Sequence, residues 1–131
     1  MAPKTYVLRR FHSQMGDLPR AQVIASADGA VDISRNNFPD TVIITKGTAA
    51  ALTLAAPTAG KPSRGGHDGL RIRFVSTTAA AHTVTNSSPG FNNGSTASDV
   101  GTFAAAIGNG FEVEAYNGIW YIIANINVTF A

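Results

Sequence analysis

The apolar and polar positions of the chain alternate in short runs, which is the mark of half-buried β-strands. In Leu70-Arg71-Ile72-Arg73-Phe74-Val75 the apolar residues Leu70, Ile72 and Phe74 share one face and Arg71 and Arg73 the other. Thr41-Val42-Ile43-Ile44-Thr45 is β-branched throughout and stops at Lys46-Gly47. Leu52-Thr53-Leu54 alternates up to Pro57, and His82-Thr83-Val84-Thr85 is a further short strand. The strongest signal is Phe111-Glu112-Val113-Glu114-Ala115-Tyr116, then Asn117-Gly118, then Ile119-Trp120-Tyr121-Ile122-Ile123. Two alternating runs joined by Asn-Gly predict a tight type I′ hairpin, because both turn positions need positive φ. Ile126-Asn127-Val128-Thr129-Phe130 predicts a last strand, and 86–95 reads as a loop.

Thr48-Ala49-Ala50-Ala51-Leu52-Thr53-Leu54 is echoed by Thr78-Ala79-Ala80-Ala81-His82-Thr83-Val84 at a spacing of 30. Both copies read as strand–turn–strand hairpins, and two copies fall short of a solenoid. Residues 1–40 differ. They carry Pro3, Pro19 and Pro39 and only short strand-like pieces: Tyr6-Val7-Leu8, Gln22-Val23-Ile24-Ala25 and Val31-Asp32-Ile33. Two readings stand for 1–40, an extended arm that pairs with some sheet or a first pair of strands. Residues 41–131 read as the body. Roughly eight regularly spaced strands predict an all-β fold: an antiparallel β-sandwich or jelly-roll-like barrel, with an N-terminal arm.

Length and composition fit one domain. The chain has 131 residues, 44% hydrophobic and only 14% charged. It has no Cys, which excludes disulfides, thiolate metal sites and cysteine nucleophiles. No apolar run is long enough for a membrane span, and the N-terminus lacks a signal-peptide pattern. Charge is uneven. All ten Lys and Arg lie in 1–73, whereas 74–131 carries Asp99, Glu112 and Glu114 and no base. That asymmetry is either a device for docking on acidic partners or chance scatter. A charge-poor sheet protein also has few residues to guard its edges, which favours an oligomer or a place in an assembly.

No catalytic constellation emerges. Ala55 to Lys61 is a near miss for a phosphate loop, with Pro62 where the magnesium-binding hydroxyl belongs. His12, His67 and His82 lack metal-ligand spacing, and Asp28 and Asp32 are too few for a calcium loop. Glu112 and Glu114 read as a solvated strand face rather than a glycosidase pair. Arg71 and Arg73 beside Phe74 are a minimal nucleic-acid pattern, since Phe74 should point inward. The reading is therefore a non-enzyme, with no cofactor, no metal, no specific nucleic acid and no membrane. Trp120 and Tyr121 point to opposite faces of one strand, so only one of them can be core; the other is a candidate interface anchor.

The runs Val42–Pro57, Asp68–Val84 and Tyr116–Tyr121 resemble small structural proteins of tailed bacteriophages, in the style of capsid decoration (cement) and tail-fibre-type proteins. The likeness is compositional and spans about 41–131. A decoration protein implies a β-rich body, often a homotrimer, made in the host bacterial cytoplasm. It implies a place on the capsid exterior, where it binds and stabilises the shell of major capsid protein. On this expectation Lys4, Arg9, Arg10, Arg20 and Arg35 dock on acidic capsid surface, with Trp120 and Tyr121 as further interface residues. The alternative is a tail-fibre or spike module that binds a host-surface receptor or glycan.

Overall fold

The computed structural model describes residues 22–131. Tyr6-Val7-Leu8 and the candidate contacts Lys4, Arg9, Arg10 and Arg20 lie outside the described residues. The strands are β1 Gln22–Ala25, β2 Gly29–Ala30, β3 Thr41–Ile44, β4 Ala51–Thr53, β5 Arg71–Ser76, β6 Thr83–Thr85, β7 Val100–Phe103, β8 Gly110–Tyr116, β9 Ile119–Ile126 and β10 Val128–Phe130. They form two five-stranded sheets, ordered β1-β3-β5-β8-β9 and β10-β7-β6-β4-β2. The fold is all-β and sandwich-like. Of the two readings for 1–40, residues 22–30 contribute strands to the body, since β1 pairs with β3 and β2 with β4. Val31-Asp32-Ile33 is not a strand but part of the crossover that follows β2.

The sheets are mixed, which corrects the antiparallel expectation. From β1 to β6 the chain changes sheet at every connection, so strands two apart in sequence stack in parallel: β1 on β3 on β5, and β2 on β4 on β6. The two echoed segments are therefore arches between sheets, not hairpins within one. The physical reason lies in their ends. Ile44 and Leu52 flank the first arch, and both are buried. A crossing turn lets the two point at each other through the core, whereas a hairpin would set both strands in one sheet. The register pairs Ile44 with Ser76 and Leu52 with Val84, a spacing of 32 rather than the 30 read from the echo. Strands β1 and β2 add a third, smaller tier.

From β7 onward pairing is antiparallel and closes the stack. The β8–β9 hairpin turns on Asn117 (φ 50) and Gly118 (φ 84), as its Asn-Gly requires. Strand β9 is bulged at Ile123, because Val113 faces Ile122 while Glu112 faces Ala124. Strand β7 escapes the sequence reading because Gly101 interrupts its apolar run. That glycine is required by packing: a Cβ there would lie 2.7 Å from the Phe130 ring.

The core joins the inner faces of both sheets. Phe111 is its hub, stacked on Phe74 at 4.8 Å and edge-on to Phe91, Phe103 and Phe130 at 5.8, 5.9 and 5.1 Å between ring centroids. Such offset and edge contacts add to the area that aromatic rings bury. Phe91 enters from the 86–95 loop, which the buried Asn86 braces: its amide donates to Leu54 O, and its Oδ1 accepts from Gly90 N–H.

Candidate interaction surface

Alternation along β9 divides the two aromatic candidates. Trp120 is fully buried, and its indole N–H donates to Ala55 O at 2.8 Å. It is a core residue and is withdrawn from the candidate interface, because a side chain with no exposed surface touches no partner. Tyr121 lies opposite Glu114 on the outer face and is 37% exposed. Sequence reasoning foresaw that the pair would split. Which one went inward was decided by β8, whose Ala115 leaves room opposite Trp120.

Strand β9 is an edge of its sheet. Its first half is guarded, because Asn92, in a left-handed conformation (φ 56), accepts the Ile122 N–H at 2.9 Å. Its second half, Ile123-Ala124-Asn125-Ile126, contains no charge and no proline. Ile123 and Ile126 are 44% and 58% exposed. Asn125 is taken up internally, bonding Val128 N–H and Val128 O to turn the chain into β10. Beside this ridge runs a groove of about 230 Å³ over the outer face, floored at Gly110 and bordered by Arg73, Glu112, Ala124 and Ile126. A Cβ on Gly110 would sit 2.0 Å from Phe74 O, so glycine is what lets β8 pass there. Tyr116, Tyr121, Ile123 and Ile126 thus form an exposed apolar fringe on one sheet, of the kind that marks contact surfaces.

Charge is arranged differently from its sequence pattern. Arg71 pairs with Glu114 at 2.9 Å, and Arg73 lies opposite Glu112 in register. The acidic and basic halves of the chain thus meet across β5 and β8. Glu112 and Glu114 are surface strand residues, as their alternation predicts. Lys46 pairs with Asp28 at 2.8 Å, and Asp28 also accepts Ala51 N–H. Both bonds hold the Asp28 carboxyl below its usual range, the Lys46 contact more strongly, and tie the β1–β2 tier to the β3–β4 tier. Arg35, the one basic candidate among the described residues, is exposed on the β2–β3 crossover.

The two described histidines serve structure. His82 is fully buried; its Nδ1 accepts Ala50 N–H at 3.0 Å, so its Nε2 carries the proton and donates to Thr78 Oγ1 at 2.9 Å. Thr78 in turn donates to Lys46 O. This chain staples the first arch to the echoed one between β5 and β6. His67 accepts Thr58 N–H at Nδ1 and donates from Nε2 to Ile33 O, joining two crossovers. Among the described residues no group of three or more His, Asp or Glu could hold a metal, and no helix is long and apolar enough to cross a membrane.

No family model, curated protein or solved structure matches the chain.

Proposed function

We propose that the protein is a structural component of a bacteriophage virion, a decoration protein that binds the outside of the major capsid protein shell and stabilises it. The observation that carries this reading is the open half of β9. An uncharged, proline-free edge with exposed Ile123 and Ile126 beside Tyr121 invites pairing with another chain. Weak contacts of this kind gain strength when symmetry repeats them. The fringe serves the contact between copies, with a homotrimer as the expected assembly. The basic residues Lys4, Arg9, Arg10, Arg20 and Arg35 serve the contact with the acidic shell.

Quantitative mass spectrometry of purified virions tests the assignment. A shell component gives copies on the order of hundreds per particle, comparable to the major capsid protein; a handful of copies, or none, overturns it. With Trp120 buried, the receptor-binding alternative falls to Tyr121 of the two aromatic candidates. It would need Tyr121→Ala to weaken attachment to bacterial surfaces.

A further inference from the structure

A cavity of about 380 Å³ opens where the β2–β3 crossover, 31–40, meets the β4–β5 crossover, 54–70. Its walls are apolar, from Ile33, Phe38, Pro62 and Leu70, and Ser34 and Arg35 stand among its lining. The floor is rigid. His67 bonds both crossovers through its two ring nitrogens, and its ring lies 5.4 Å from that of Phe38, which packs in turn against Trp120 at 6.3 Å. Gly66 is held against the loop, since a Cβ there would meet Gly60 O at 2.0 Å.

Arg35 brings a cation to the cavity lining. Elsewhere among the described residues Lys46 and Arg71 have ion-pair partners and Arg73 faces Glu112. Arg35, Lys61 and Arg64 have no ion-pair partner among the described residues. Arg35 lines the cavity, and Lys61 and Arg64 are near neighbours in sequence of the lining residue Pro62. The nearby acids are engaged: Asp32 accepts Ser34 N–H and the Asn37 amide, and Asp68 accepts Asn117 N–H. No acid lines the cavity.

From this juxtaposition we infer that the crossover cavity binds an acidic peptide segment, with an apolar side chain in the pocket and a neighbouring carboxylate on Arg35. A guanidinium matches a carboxylate in a two-pronged pair, and no acid in the cavity lining competes for Arg35. The lining argues against a sugar, since it offers hydroxyls but no side-chain amide or carboxylate to match a ring of hydroxyl groups. The inference rests on the proposed function only in its choice of a protein as ligand.

The test is a titration of the full-length ¹⁵N-labelled chain at low salt, followed by its amide resonances. The probe is N-acetyl-leucyl-glutamate amide, with the glutamine analogue and glucuronate as comparisons. The expected result is saturable shifts at Ser34, Arg35, Gly65 and Gly66, with affinity falling about tenfold for the glutamine analogue and for Arg35→Gln. Arg35 is exposed, so the variant's spectrum should otherwise overlay that of the parent. Absence of saturable shifts, or equal binding of the glutamine analogue, overturns the inference. Glucuronate binding as tight as the peptide overturns it in favour of a saccharide site. Binding of the probe by a protein absent from virions would refute the proposed function and leave the cavity's role standing.

Discussion

At the residue scale, single buried polar atoms hold the tiers together. His82 is neutral in the fold because burial lowers its pKa from the ordinary 6.5, and the Lys46 ammonium nearby acts in the same sense. A depressed histidine contributes stability that is full above the unfolded value and is lost as pH falls below it, toward the folded one. The protein should therefore unfold at lower urea at pH 5 than at pH 7.5. In a proton NMR titration the His82 ring should protonate below the ordinary 6.5; its titration at or above 6.5 would contradict the argument. Imidazolium could not accept Ala50 N–H, so the arch should loosen together with the protonation. Trp120, the sole tryptophan, makes a second residue-scale case. Trp120→Phe should cost about 1 kcal/mol for the lost bond to Ala55 O, and Trp120→Ala about 3–5 kcal/mol, read by urea unfolding followed by circular dichroism. Burial of both side chains was illegible in sequence. His82 begins a polar-looking run, and only the facing Ala50 N–H and Phe103 ring explain its place.

At the element scale, legibility tracked how local the determining interaction is. The β8–β9 hairpin was readable because Asn117 and Gly118 specify their own turn, and β5 because its alternation reports its own two faces. The arches were misread as hairpins because the choice between the two depends on what lies across the core, not on the turn residues. Strand β7 was missed because its glycine answers to Phe130, a residue distant in sequence. Gly110 raises the same issue on the β8 side. Gly110→Ala would push a methyl into Phe74 O and should cost about 1–3 kcal/mol, with amide exchange across the β5–β8 pairing accelerating first. The β9 edge gives a functional counterpart. Ile123→Lys with Ile126→Lys places charge on exposed positions, so the fold should survive while self-association falls by at least about tenfold in sedimentation experiments. An unchanged oligomeric state would remove the edge from the assembly.

At the scale of the whole molecule, the parallel stack sets what can be removed. Chains lacking residues 1–20 keep every described strand. On the proposed function those chains should lose capsid binding. Removing 1–35 instead deletes β1 and β2 and uncovers Val42 and Leu52, so a misfolded or aggregating product is expected from gel filtration. The sequence by itself determined that this is an all-β, charge-poor chain, where its final hairpin turns, and that Trp120 and Tyr121 part company, because alternation and turn chemistry act over a few neighbouring residues. Only the tertiary structure decided that the strands stack in parallel tiers. It also decided that the acidic and basic halves meet across β5 and β8, and that Arg35 lines a cavity between two crossovers. Those outcomes depend on which distant segments face each other once the apolar faces of two sheets close on a common core.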